Sequence, residues 1–171
     1  RDGPVAETWS TMGARLQKES GVHFRGHSDT EVMLAAFEAW GVRQAIEQFV
    51  GMFAFAVWDR NERCLWLARD RLGVKPLYYC DTGQALIFAS ELKALLAHPE
   101  CPREVARDAL ALYLHLGYVP APQSILRGVR KLPPGRLLRV AADGHMQDIA
   151  YWELARVAGS GLAAPFPGSA E

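Results

Sequence analysis

Little in this chain points to a charged partner, an oxidising compartment or a membrane. Its 19 basic and 19 acidic side chains, spread over 171 residues, cancel to a formal net charge of zero. The total therefore supplies no attraction toward nucleic acid or an anionic bilayer. No apolar run approaches the roughly 20 residues that a spanning helix needs. The opening residues, Arg1-Asp2-Gly3-Pro4, lack the apolar centre of a secretory signal. The three cysteines are odd in number and far apart, which suits a reduced, cytoplasmic chain without disulfides. There is no Gly-rich phosphate loop of either common type, no metal-ligand spacing and no internal repeat. The five histidines are scattered and read as surface or structural residues. Cys64, Cys80 and Cys101 carry no flanking motif and read as small core hydrophobes.

What is present is a core. Half of the residues are hydrophobic, enough for one domain of this length. The densest stretch is Phe49 to Asp70, two apolar runs separated by the polar Asp59-Arg60-Asn61-Glu62-Arg63. That is the pattern of two antiparallel strands joined by a tight turn. The first run is apolar at nearly every position, which predicts a strand buried on both faces and a sheet covered on each side. Leu77–Cys80 and Ala85–Ala89 read as a third and a fourth strand. Arg136–Val140 and Met146–Tyr151 read as a last hairpin around Ala142-Asp143-Gly144. Gly21–Arg25 reads as a further short strand.

Helices flank these strands. Met12–Lys18 carries Leu16 as an apolar anchor. Ser28-Asp29-Thr30-Glu31 opens a helix as a capping box, with Ser28 on the backbone and Glu31 returning the bond. Val32, Met33, Ala36, Phe37 and Trp40 then repeat at helical spacing, and Gly41 is placed to stop the helix. Arg43–Gln48, Ser90–His98 and Arg107–Leu116 are further helical segments. Gly117–Gly135, rich in proline, reads as ordered loop. From Val157 onward Gly, Ala, Ser and Pro dominate, the composition of a linker or disordered tail.

Two constellations carry chemistry. Asp29 in the first turn of its helix is well placed against the helix dipole. That placement serves the helix start whether or not it also serves a ligand. Arg69-Asp70-Arg71 at a strand end reads either as a charge network holding the following loop or as the lining of a site.

Taken together, Phe24–Gly41, Gly51–Ala56, Ala68–Tyr79, Phe88–Leu95, Gly117–Pro120 and Lys131–Gly135 resemble the glutaminase domain of class II glutamine amidotransferases. Their order and wording resemble the glutamine-hydrolysing asparagine synthetases in particular, over roughly residues 14 to 153. The resemblance implies an α+β fold, a four-layer αββα sandwich of the N-terminal-nucleophile hydrolase type, incomplete at its N-terminus. It implies a partial amidotransferase domain over 1–153 and a linker over 154–171 leading to a synthetase domain that is absent. In such enzymes an N-terminal Cys attacks the amide of glutamine, with its own amine as base, and an Asn and a Gly amide hold the oxyanion. The released ammonia amidates aspartate activated by ATP.

This sequence begins at Arg1, without that Cys, the oxyanion Asn or the Arg-rich segment that grips the glutamine carboxylate. No catalytic residue is therefore assigned, and the chain alone is expected to lack glutaminase activity. Of the glutamine-contacting motifs only Ser28-Asp29 remains, with Asp29 implied to bind the substrate α-ammonium. The implied partners are glutamine, the synthetase domain and a second copy of the chain. ATP and magnesium belong to the synthetase domain, and none is expected here. Two other readings stay open: the glutaminase domain of an amidotransferase making glucosamine phosphate or phosphoribosylamine, and a truncated non-catalytic domain.

Titration of the denatured, unreduced chain with a thiol reagent should count three free thiols. A count of one would show that a disulfide forms.

Overall fold

The computed structural model of the chain describes residues 9–26 and 28–163. The opening tetrapeptide and the last residues of the tail, for which the sequence suggested a missing signal and disorder, lie outside the described residues. In chain order the elements are α1 (Trp9–Ser20), α2 (Asp29–Gln48), β1 (Ala54–Asp59), β2 (Cys64–Arg69), β3 (Tyr78–Asp81) and β4 (Leu86–Ala89). Then follow α3 (Leu92–Leu96), α4 (Arg107–Leu116), β5 (Val129–Lys131), β6 (Arg136–Ala141), β7 (Met146–Ala150) and α5 (Leu154–Ala163).

The two central apolar runs pair as expected, antiparallel from Ala54 opposite Arg69 to Asp59 opposite Cys64. Asp59 closes their turn by accepting bonds from the Asn61 and Glu62 amides at 2.8 and 2.9 Å. This is an Asx-type turn made by a short acidic side chain. The hairpin belongs to a four-stranded sheet of order β1-β2-β6-β7, and a second sheet has the order β4-β3-β5. All pairings within both sheets are antiparallel.

Side chains on β2 alternate between two cores, as the two-residue strand period requires. Cys64, Trp66 and Ala68 join α1 and α2 around Phe49, Met12 and Leu16. Leu67 faces the other way and meets Leu77, Leu132, Leu138 and Val140 between the sheets. A third cluster, around Cys80, Leu95, Leu126 and Val129, joins the outer face of the second sheet to α3. The layers are therefore helix, sheet, sheet, helix. This is the αββα order of an α+β fold.

Burial of the central hairpin differs from expectation. β2 is the strand covered on both faces, whereas β1 leaves Ala56 and Trp58 exposed. The reason is position. β1 is at the edge of its sheet among the described residues, and of its inner-face residues only Ala54 packs on the core between the sheets. An unbroken apolar run does not distinguish these two cases.

Four other expectations are corrected. Gly21–Arg25 makes no ladder; Val22 and Phe24 instead pack on the helical core as an irregular segment. The 117–135 segment contains β5, three residues pairing with β3, too short to show a period. The Ser90–His98 helix is shorter, Leu92–Leu96. The tail is not irregular from Val157, because α5 runs to Ala163 with none of its residues buried. Its Leu, Ala and Arg residues favour a helix locally, and composition counts miss this. Gly41 does interrupt α2, at φ 75° and ψ 158°. α1 is longer than read and carries Leu16 fully buried.

One turn fixes the last hairpin against the rest. Gly135 has φ +65°, and a Cβ there would lie 2.2 Å from the Trp152 carbonyl oxygen. Gly135→Ala is expected to cost at least about 2 kcal/mol, combining the left-handed penalty with forced backbone movement. Gly144→Ala, also left-handed but in open space, should cost only the conformational part, about 1–2 kcal/mol. Denaturant midpoints of the two variants measure the difference, and equal losses would refute the clash.

Candidate functional site

The Arg69-Asp70-Arg71 cluster ties a loop, but not through ion pairs. Asp70 is 1 % exposed. One carboxylate oxygen, Oδ1, accepts bonds from the Leu72 and Val74 amides at 3.2 and 2.9 Å. The other, Oδ2, accepts from the Lys75 amide at 2.9 Å. Arg69 treats the same loop from its carbonyl side, donating to Lys75 O at 2.7 Å and Gly73 O at 2.6 Å. A third bond, to Leu132 O at 2.7 Å, reaches the proline-rich segment. Arg71 donates to Glu47 O at the C-terminus of α2, where a cation is favoured by the dipole.

The Tyr151 hydroxyl donates to Arg69 O at 2.7 Å. Burial pushes this phenol well above its usual range, and the Asp70 charge adds to the effect. It therefore stays a donor at any ordinary pH. Burial also pulls the Arg69 guanidinium down, and the adjacent Asp70 opposes that pull.

The start of α2 is built differently from the expected box. Ser28 Oγ accepts from the Thr30 amide at 3.2 Å. The Glu31 carboxylate reaches past the cap, accepting from the Arg25 and Gly26 amides at 2.7 and 2.9 Å. Glu31 is thus committed to the incoming chain. Asp29, two residues earlier, is exposed and has no hydrogen-bond or ion-pair partner among the described residues.

These two devices meet at one cavity of about 700 Å³. Asp29 and Thr30 stand on one wall, Lys75 and Pro76 on another, and Trp9, Met33, Phe53 and Phe55 contribute apolar surface. The start of β1, Ala54 to Ala56, also lines it. A second cavity of about 440 Å³, between α1 and α2, also includes Asp29 in its wall. Asp29 therefore faces open space on two sides.

None of the three cysteines is in either cavity. All three are free and at most 3 % exposed. Burial pushes the Cys64 and Cys80 thiols up, opposite to what an activated nucleophile requires. No group of three or more His, Cys, Asp or Glu side chains suited to a metal is present among the described residues. No described helix is long and apolar enough to cross a membrane.

Residues 8–152 match the glutamine amidotransferase domain family. The chain belongs to this family. Asparagine synthetase [glutamine-hydrolyzing] 3 of Bacillus subtilis is 37 % identical over 150 residues, covering 86 % of this chain and 24 % of the relative. Asparagine synthetase [glutamine-hydrolyzing] 2 of the same organism is 44 % identical over 137 residues, covering 77 % of this chain and 18 % of the relative. The chain thus spans about a quarter or less of the length of these relatives. Among solved structures, the glutamine phosphoribosylpyrophosphate amidotransferase of B. subtilis shares the fold. Its TM-score is 0.56 at 19 % identity, over 83 % of this chain and 26 % of that one. The α+β sandwich expected from the amidotransferase resemblance is the fold found.

Sequence reading singled out Asp29, which lines the cavity, and the Arg69–Arg71 cluster, which does not; the loop that the cluster holds contributes Lys75 and Pro76 to the lining. It overlooked Lys75 and the aromatic surface. The run Gly73-Val74-Lys75-Pro76 reads as loop, and nothing in a linear sequence shows that its backbone is clamped by the residues just before it.

Replacing Asp70 by Asn puts an amide donor against backbone donors in a site that excludes water. A loss of about 3 kcal/mol is expected, from unsatisfied buried groups and a broken charge-assisted network. Chemical denaturation measures it, and a loss below about 1 kcal/mol, a typical neutral hydrogen bond, would show that the loop is held by other contacts.

Proposed function

We propose that this chain is the glutamine-binding part of a glutamine-hydrolysing asparagine synthetase, an ATP-dependent enzyme that transfers glutamine-derived ammonia to aspartate. The observation that carries the reading is the Asp29 carboxylate at the N-terminus of α2, without a partner among the described residues and lining a cavity with apolar surface. A carboxylate in that position is favoured in its ionised form by the helix dipole. It is suited to an α-ammonium group, which presents three N–H donors. The aromatic surface suits the methylenes of a glutamine side chain. The names of the relatives supply the amide acceptor and the nitrogen donor.

No nucleophile is assigned to this chain. Cys64, Cys80 and Cys101 are buried away from the cavity, so binding and orientation are the roles its own residues take. ATP and magnesium are implied for a synthetase domain, and no role toward them is given to the residues of this chain.

In the enzyme carrying a synthetase region, Asp29→Asn should raise KM for glutamine about ten- to a hundredfold, the value of a charge-assisted bond. Ammonia-dependent synthesis should be unchanged, because ammonia bypasses the glutamine site. An unchanged glutamine KM, or an equal loss with both nitrogen donors, would reduce Asp29 to a helix-start residue.

A further inference from the structure

A further cavity, of about 480 Å³, lies between β3, β5 and α4 and shares no lining residue with those at Asp29. Its wall is apolar and aromatic. Leu110 and Tyr113 reach it from α4, Tyr118 from the segment that follows, Tyr78 from β3 and Ile125 from the loop before β5. Leu110, Tyr113 and Tyr118 are 40, 50 and 60 % exposed. One charged side chain, Lys131, stands in this wall. The strand register puts it there: Lys131 is directly opposite Tyr78 across the β3–β5 ladder, and residues paired in this way share a face. The Lys131 ammonium lies 5.8 Å from the Tyr78 ring centre and donates to Val119 O. Its amide donates to Pro122 O at 2.8 Å, so both ends of the residue hold the 119–122 segment. Among the described residues it has no carboxylate partner, and no acidic side chain lines the cavity. Burial, and the nearby Arg69 cation, pull this ammonium below its usual range. A half-buried cation without a counter-charge thus stands beside aromatic surface.

The geometry points to a binding site for a small aromatic carboxylate, with its carboxylate on the Lys131 ammonium and its ring among Leu110, Tyr113 and Tyr118. An ammonium presents three N–H donors, and Val119 O takes one. A carboxylate oxygen answers another with a charge-assisted bond, which is stronger than a neutral one. The tyrosines offer ring faces and edges that an aromatic ligand can stack on or meet edge-on. The volume is in the range of small-molecule sites. Other ligand classes answer only part of this wall. A neutral apolar molecule leaves the ammonium without a counter-charge. An inorganic anion leaves the tyrosines in water. A cation is opposed by Lys131 and Arg69 together.

Isothermal titration of the 171-residue chain with indole-3-acetate and with indole-3-acetamide, which has the same shape without the charge, separates the two parts of the site. The acid is expected to bind about tenfold more tightly than the amide, near the lower end for a charge-assisted bond because the site is open to solvent. Lys131→Met keeps an unbranched stem and should bring the acid to the affinity of the amide, whereas Lys131→Arg should keep the difference. Tyr113→Ala, at an exposed position of α4, should weaken both ligands severalfold. Lys131 also holds Val119, so if Lys131→Met does not fold, the acid–amide difference on the parent chain and the Tyr113 variant decide. Equal affinity of the parent chain for acid and amide, or a difference that survives Lys131→Met, overturns the anion role. Affinities unchanged by Tyr113→Ala put the ligand elsewhere and overturn the site. So does a parent chain that takes up neither ligand up to its solubility limit, the result expected if a protein partner covers this face instead.

Discussion

A single buried carboxylate fixes the path of the chain where the two sheets and the site come together. Asp70 accepts three amides of the loop that follows it. Its own peptide groups reach further: its amide donates to Phe53 O, and its carbonyl accepts from Gly73 and Gly135. One residue thus joins the entry to β1, the exit from β2, the 71–75 loop and the turn before β6. A carboxylate is suited to this because two oxygens offer about four acceptor positions. It tolerates burial because every bond it accepts comes from a fixed donor. Arg69 is the complement, a planar fork of donors answering the loop's carbonyls. The two neighbours do not neutralise each other as a pair. Each is solvated by backbone.

That clamp matters because the layers on either side are held by non-directional packing. Leu67, Leu138 and Val140 exclude water between the sheets, and Trp66, Phe49 and Ile46 do so under the helices. Apolar packing of this kind sets the separation of layers but not the path of an exposed loop. Hydrogen bonds with fixed direction do the second job. The position of Lys75 relative to α2 therefore depends on both: the cores set the distance between sheet and helix, and the clamp sets the loop.

The fold was legible where the pattern was long. The β1–β2 hairpin, β3, β4, the β6–β7 hairpin, α2 with its break at Gly41, and α4 all follow from periodicity and turn residues. The failures share a cause. β1 at the edge and β2 in the middle have similar apolar runs, and only the strand order tells them apart. β5 is three residues long, below the length at which alternation means anything. α5 follows from local propensity that its Gly and Ser residues mask. At the site, Asp29 was visible because a capping motif precedes it. Lys75 was not, because its position is fixed by hydrogen bonds to its backbone, and any residue type but proline supplies those.

Within each motif the structural work and the free group fall on different residues. In the first turn of α2, Glu31 is committed to the Arg25 and Gly26 amides and Ser28 to Thr30, which leaves Asp29 without a partner among the described residues. In the 69–75 run, Arg69 and Asp70 are committed to the backbone and Arg71 to the end of α2, which leaves the Lys75 side chain without a partner among the described residues. An acidic or basic cluster read from sequence looks uniform, and the natural assumption is that its charges answer one another. Here they do not. A charge that is unpaired and exposed incurs almost no desolvation cost, so the fold loses little by leaving it free. A charge that is buried is retained only where backbone satisfies it completely. Burial and hydrogen bonding therefore sort the members of each cluster. Two charges of opposite sign are left lining one cavity, with no partner for either among the described residues.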